Sequence, residues 1–208
     1  MGEDGPTHQP IELATLYRAM PNIQYIRPSD NEETTGAWTA AIEAKETPTI
    51  VSTSRHKLPQ LKETKREGVL KGAYVLRENE KATLTLIGVG AELSHAVGVQ
   101  EKLAEQGVEV RVVSFPSWRL FEQQPVEYKR DVLRRHRIPA VAIEPYAATG
   151  WERYADVAAC MKTFGHSLPG TAAYKYFGFD VDTLTDKIMG YLERIKKDEL
   201  LRREFVEL

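Results

Sequence analysis

Residues 83–115, TLTLIGVGAELSHAVGVQEKLAEQGVEVRVVSF, decide the fold class of this chain. Two apolar runs, 83–90 and 108–115, flank a helix-forming stretch that Gly107 ends. A helix between two neighbouring strands allows them to run parallel, so the stretch predicts one strand–helix–strand unit of a mostly parallel sheet.

The same alternation continues toward the carboxyl end of the chain. We predict a helical stretch at 121–135, a strand at 140–146, a helix at 151–158 and a strand at 159–165. A closing amphipathic helix at 181–195 and a frayed, charge-balanced tail at 196–208 follow. Strands that alternate with helices favour an α/β domain with a mostly parallel sheet and helices on both faces, which makes three layers.

The first 55 residues predict a shorter run of the same kind. We expect a helix at 10–20, a strand at 23–28, a helix at 29–46 and a strand at 47–54. In the second helix, Trp38, Ala41 and Ile42 lie on one face, which we expect to be buried. Residues 56–82 are rich in Lys, Glu and Pro without a sustained period, and only GAYVLRE, residues 72–78, resembles a strand; we interpret the whole stretch as a linker.

Composition excludes several classes of protein. The 208 residues carry a formal net charge of −2, which gives no general attraction to nucleic acid or to an anionic membrane surface. No apolar run approaches a membrane span, and the amino terminus lacks the apolar core of a signal peptide, so we expect a cytoplasmic protein without nucleic-acid or membrane partners. The one cysteine, Cys160, has apolar neighbours and is predicted to be a buried structural thiol.

Short motifs give weaker signals. The glycines of GVGAEL, residues 88–93, could cradle a phosphate, but tight-turn glycines are the better interpretation because the third glycine of a dinucleotide fingerprint is absent. The basic residues at 134–137 fit a solvated helix end, and His95 and His166 are isolated. No metalloprotease or nucleophile-elbow motif occurs.

One series of motifs carries a family resemblance. The opening residues 2–12, GEDGPTHQPIE, resemble the signature of transketolases, enzymes of the pentose phosphate pathway that move two-carbon ketol units between sugars with thiamine diphosphate. Further matches occur in the order of that family across the whole chain: Pro21–Asn22, Ile26–Asp30, Ser54–Arg55, Leu58–Pro59, Lys71–Leu76, Val112–Ser114 and Lys175–Phe179. Such a collinear series is highly specific.

The resemblance implies a domain assignment. Residues 1–55 would be the carboxyl-terminal half of a pyrimidine-binding domain, residues 56–82 a linker, and residues 83–208 the transketolase C-terminal domain. The chain would correspond to roughly the last third of a transketolase.

The resemblance also implies site residues. Asp4 and His8 match the acid and the histidine that contact sugar oxygens, and Arg55 matches an arginine that holds the sugar phosphate. The chemistry suits these roles, since carboxylates accept from hydroxyls and guanidinium groups match phosphate oxygens. The alternatives are that Asp4 only belongs to a turn and that Arg55 is a surface charge.

Departures from the family pattern bear on activity. His56 stands where a glutamine commonly follows the serine–arginine pair, and residues 162–170, KTFGHSLPG, differ in a loop that we do not assign to catalysis. Transketolases bind the cofactor diphosphate and its metal through a GDG motif and activate the cofactor with a glutamate. The sequence has no GDG triplet, so we expect no cofactor and no metal to bind to this chain alone.

Three functions follow as hypotheses. The first is ketol transfer between sugar phosphates, with a complementary transketolase amino-terminal chain that supplies thiamine diphosphate and magnesium, or within a homodimer. The second is a non-catalytic interaction or regulatory module derived from a transketolase. A variant of the first is a dihydroxyacetone synthase, with formaldehyde as acceptor, because Ser117–Glu122, SWRLFE, is reminiscent of that branch.

Overall fold

The computed structural model describes residues 5–208 without the side chain of Arg203, and these residues form two sheets. The larger sheet has six strands in the order β3-β5-β4-β6-β7-β8, of which only the β3–β5 pair is antiparallel. Its strands are β3 (Tyr74–Arg77), β4 (Leu84–Gly88), β5 (Val110–Ser114), β6 (Ala140–Ile143), β7 (Val157–Ala159) and β8 (Val206–Glu207). The predicted α/β class with a mostly parallel sheet is confirmed.

Helices cover both faces of the larger sheet. On one face, α4 and α8 bury their apolar residues against β4, β5 and β6. On the other face, α5, α6 and the turn Trp151–Arg153 pack an aromatic cluster against the same strands. The helices are α4 (Leu93–Glu105), α5 (Trp118–Glu122), α6 (Val126–Leu133), α7 (Gly170–Phe177) and α8 (Val181–Lys197).

The smaller sheet, in the first segment, pairs β1 and β2 in parallel with Tyr25 opposite Ile50. Its elements are α1 (Leu13–Ala19), β1 (Gln24–Ile26), α2 (Asn31–Glu43) and β2 (Thr49–Val51). Helix α2 begins where the Asp30 side chain accepts a hydrogen bond from the Glu33 amide, as expected for an N-cap.

The buried face of α2 is not the predicted one. Trp38 and Ile42 are 55% and 78% exposed, whereas Ala37 and Ala40 are buried. The close approach of a short helix, α3 (Arg66–Val69), explains the difference, because a Cβ on Gly36 would lie 2.5 Å from the Arg66 carbonyl oxygen. Only small residues fit at this contact, so the large apolar residues point outward.

Three further expectations are wrong near the carboxyl end. The helix predicted over 151–158 is a single 3-10 turn, and the strand predicted at 159–165 is instead Val157–Ala159. Burial of Trp151 and Tyr154 in the aromatic cluster fixes the turn. The tail is not frayed, because Val206 pairs with Val157 and adds β8 to the sheet edge.

Residues 56–82 contain regular structure near their end. Helix α3 packs against α2, and β3 pairs with β5 as the antiparallel edge of the larger sheet. The division at 55 and 83 therefore stays a prediction, with the last part of the proposed linker contributing to the sheet.

Candidate functional site

A cavity of about 300 Å³ lies between the first segment and the carboxyl ends of β4, β6 and β7. In open α/β sheets ligands bind at this edge, where the chain leaves neighbouring strands toward opposite sides. Strand β4 lies between β5 and β6 in the sheet. The chain reaches these two strands through separate connections, which diverge at this point. We call this space the central cavity.

Two of the predicted site residues line the central cavity together. His8 lies in a 3-10 turn, Pro6–His8, and Arg55 follows β2; both side chains are exposed. The ring of His56, the next residue, packs against the first residue of α7, since a Cβ on Gly170 would lie 3.3 Å from its Cε1. Asp4 lies outside the described residues. The sugar and phosphate roles of these side chains stay predictions.

The opposite wall of the central cavity is aromatic. It comes from the loop after β6 and from α7, a helix that the sequence did not predict; its residues include Tyr146, Tyr174, Phe177 and Phe179. Burial and the neighbouring Glu92 carboxylate raise the pKa of Tyr174, so its hydroxyl stays protonated and donates to Glu92. Gly165 and Gly170, from the loop not assigned to catalysis, also line the cavity.

A buried ionic cluster lies behind the cavity and joins the first segment to the larger sheet. Glu144, which follows β6, accepts two hydrogen bonds from Arg18 at 2.6 and 2.8 Å and one from Arg27 at 2.6 Å. The indole nitrogen of Trp151 donates to the same carboxylate at 3.0 Å, and Arg27 also donates to Glu92 at 3.2 Å. Two arginines and two glutamates therefore balance their charges.

The cluster shifts the pKa values of Glu144 and Arg27. Burial alone would raise the pKa of Glu144, but the Arg18 and Arg27 guanidinium groups outweigh burial and lower that pKa to about 2. The two glutamates raise the pKa of Arg27, which stays a cation although it is buried. At neutral pH Glu144 and Arg27 therefore form a charged, desolvated pair.

Arg27 lies at the carboxyl edge of the larger sheet, between Glu92 and Glu144, and lines the central cavity. Its guanidinium packs over the Tyr146 ring, with 4.6 Å between Cζ and the ring centroid. Gly90, at φ +59°, allows this approach, because a Cβ there would lie 3.2 Å from an Arg27 nitrogen. The sequence analysis did not predict that Arg27 would pair with buried glutamates. The signal for such a pairing was Glu144, the glutamate directly after an apolar strand in AVAIEP.

The two isolated histidines stack on aromatic rings, and His166 is exposed. His95 stacks on Tyr174 and His166 on Phe177, with ring centroids 4.7 and 5.3 Å apart. Cys160 is buried, and burial raises the pKa of its thiol. Across residues 5–208, no three His, Cys, Asp or Glu side chains are arranged to hold a metal ion, and no helix is long and apolar enough to cross a bilayer.

The fold and the cavity define a two-part α/β protein with a site at the junction of its parts, and the comparisons give its family. The model "Transketolase, pyrimidine binding domain" matches residues 1–60, and "Transketolase-like TK C-terminal domain" matches residues 72–180. The chain belongs to the transketolase family, as its motifs predicted.

Individual relatives agree with this assignment. A dihydroxyacetone synthase of Candida boidinii is 45% identical over 100% of this chain, and a probable transketolase of Schizosaccharomyces pombe is 43% identical over 95%. A solved transketolase mutant from Pichia stipitis superposes with a TM-score of 0.91 at 36% identity over 94% of this chain, and the transketolase from Leishmania mexicana with 0.89 at 40% over 93%. The chain spans 29% of the Candida protein, 28% of the Schizosaccharomyces protein, and 29% and 28% of the two solved chains.

Proposed function

We propose that this chain forms the sugar-binding part of a transketolase-type enzyme. The reaction moves a glycolaldehyde unit from a ketose phosphate to an aldose phosphate. Support comes from one observation above all: His8 and Arg55, far apart in sequence, line one cavity at the carboxyl end of the larger sheet. A chain of this family that places both side chains on one cavity can hold a phosphorylated sugar there.

The family uses thiamine diphosphate and a divalent metal. The described residues do not fit a diphosphate–metal site, because no three potential metal ligands converge among residues 5–208. We therefore assign no step through the cofactor to these residues, and we propose that a complementary polypeptide supplies it.

The chain's own residues bind and orient the substrate in this proposal. The Arg55 guanidinium offers two parallel N–H donors to phosphate oxygens, and the His8 imidazole can donate to or accept from a sugar hydroxyl. Asp4 accepts from hydroxyls near the carbon bond that breaks. Orienting the sugar in this way lowers the entropic part of the barrier.

The partner is proposed to be a transketolase amino-terminal chain, a second copy, or both. One solved structure, a split-gene transketolase that is an inactive beta4 tetramer, is 22% identical to this chain with a TM-score of 0.74 and shares only the fold with it. A cytoplasmic location also remains part of this proposal.

Reconstitution tests the function directly. The chain is mixed with the upstream part of a transketolase, thiamine diphosphate and magnesium, and ketol transfer is followed with a ketose phosphate donor. Arg55→Ala should raise KM for phosphorylated sugars about 10- to 100-fold, because a hydrogen bond to a charged group contributes about 1.5–3 kcal/mol. His8→Ala should lower kcat/KM by a similar factor.

Matched controls separate a local effect from a general one. Arg66→Ala and His136→Ala change exposed residues that do not line the central cavity and should leave KM and kcat within twofold. Absence of ketol transfer, with calorimetry that shows the two polypeptides associating, would instead favour the non-catalytic interaction module.

Dihydroxyacetone synthase activity is the second candidate. Two relatives with that name are 45% and 40% identical to the chain, and Ser117–Glu122 is reminiscent of the same branch. Formaldehyde as acceptor would add one carbon to the two-carbon unit and give dihydroxyacetone. If this candidate holds, the reconstituted enzyme should have a kcat/KM for formaldehyde at least equal to that for an aldose phosphate; a value tenfold lower would leave the first candidate.

A further inference from the structure

A second cleft, which we call the arginine cleft, lies where Ser117–Glu122 faces the end of α1. Its volume is about 390 Å³, and it shares no described lining residue with the central cavity. Its charged lining side chains, among the described residues, are three arginines and one glutamate: Arg18, Arg119, Arg153 and Glu122. Residues of the SWRLFE segment therefore line a cleft that is separate from the proposed sugar site.

Two buried donors of this cleft have no acceptor among the residues that the structure describes. They are the Nε atom of Arg18 and the indole Nε1 atom of Trp118. The Arg18 side chain is 3% exposed and Trp118 is 8% exposed, and the Arg18 Cζ lies 4.3 Å from the Trp118 ring centroid. Leaving such a donor unpaired costs about 1–3 kcal/mol, so an acceptor at the Trp118 indole nitrogen would stabilise this part of the cleft, whereas the Arg18 guanidinium is already paired with Glu144 through both Nη atoms.

The rim of the cleft offers further donors. Arg119 donates through Nη1 to the Pro21 carbonyl oxygen at 2.6 Å and through Nη2 to Asn22 Oδ1 at 3.5 Å, and Arg153 donates through Nη2 to Glu122 at 3.3 Å. A guanidinium has five N–H groups, so both side chains keep donors for a ligand. The Glu122 carboxylate is already engaged by Lys129 at 2.8 Å and by the Tyr154 hydroxyl at 2.7 Å, which limits its repulsion of an anion.

The remaining wall is apolar and aromatic. Met20, Ile23 and Tyr25 line it on the side of the first segment, opposite the Trp118 ring. Binding sites combine such apolar surface with a few convergent polar groups. The wall therefore fits the hydrocarbon part of a ligand, while the arginines fit its charged end.

We propose that the arginine cleft binds a small organic carboxylate with an apolar or aromatic body. The carboxylate accepts from Arg119 and Arg153 and from the Trp118 N–H, and the body packs on the wall formed by Met20, Ile23 and Tyr25. Planar carboxylates match the guanidinium fork in a way that a point charge does not. This site does not depend on the proposed ketol transfer.

Calorimetric titration with benzoate tests the site on the 208-residue chain. Benzoate should bind saturably, and Arg119→Ala with Arg153→Ala should weaken binding at least tenfold, since charged hydrogen bonds contribute about 1.5–3 kcal/mol. Arg119→Lys with Arg153→Lys keeps the charge but removes the fork and should also weaken binding. The matched control Arg66→Ala, an exposed arginine outside the cleft, should bind as the parent chain does.

Three results would overturn the proposal. Benzyl alcohol binding as tightly as benzoate would show that the charge is not recognised. Inorganic phosphate binding in preference to benzoate would replace the carboxylate with a phosphate. No saturable benzoate binding to the folded parent chain, checked by circular dichroism, would mean that ordered water alone satisfies the two buried donors.

Discussion

Replacing Glu144 by alanine is expected to lower the free energy of unfolding by about 3–5 kcal/mol, the range for removing one partner of a buried ion pair. Glu144 is fully buried and accepts from Arg18, Arg27 and the Trp151 indole. Without its carboxylate, two buried cations face each other across a cavity, and among the described residues Glu92 is the carboxylate that still pairs with Arg27. Urea unfolding of both proteins, followed by circular dichroism, measures the difference.

An exposed ion pair of the same chemistry provides the control. Arg66 donates to Glu32 in a bidentate pair at 2.8 and 2.9 Å, but the two side chains are 50% and 39% exposed. Glu32→Ala should lower the free energy of unfolding far less than Glu144→Ala does, because solvent screens exposed pairs. Equal losses for the two variants would contradict the structural role that we assign to the buried cluster.

The sequence predicted the α/β class because its signals are local. Apolar runs and a glycine stop predict strands and helices wherever neighbouring residues determine them, as in residues 83–115. The prediction of the buried face of α2 was wrong because the contact between Gly36 and Arg66 is a tertiary one. Helical spacing alone points Trp38 and Ile42 inward, although both are exposed. The β8 pairing with β7 also joins segments distant in the chain.

The site was predictable only where motifs exist. His8 and Arg55 belong to stretches that resemble transketolase motifs, and the structure places both on the central cavity. Asp4 lies outside the described residues, so its placement stays a prediction. The Arg18, Arg27 and Glu144 cluster carries no short motif, because its members come from α1, from the end of β1 and from the end of β6. Only the folded chain brings their charges together.

Acid should lower the free energy of unfolding by protonating the Glu144 carboxylate. The folded-state pKa of Glu144 is lowered to about 2, below its unfolded value of about 4.3, so its contribution is complete above pH ~4.3 and is lost as pH falls toward 2. Each pKa unit corresponds to 1.36 kcal/mol, which gives a loss of about 3 kcal/mol. Unfolding free energies of the parent chain and of Glu144→Gln, measured from pH 7 to pH 2.5, should therefore converge as the pH falls.

A second buried glutamate tests the direction of this effect. Burial is the main reason that the pKa of Glu33 is raised, although Ser114 and Tyr74 donate to it and partly oppose the rise. A raised carboxyl pKa stabilises the folded state at low pH and loses that contribution as pH rises, so on acidification from pH 7 the parent chain should gain stability relative to Glu33→Gln. Since the pKa values of Glu33 and Glu144 shift in opposite directions, acidification should instead cost the parent chain stability relative to Glu144→Gln. A pH-independent difference between that variant and the parent chain would mean that Arg18 and Arg27 do not hold Glu144 ionised.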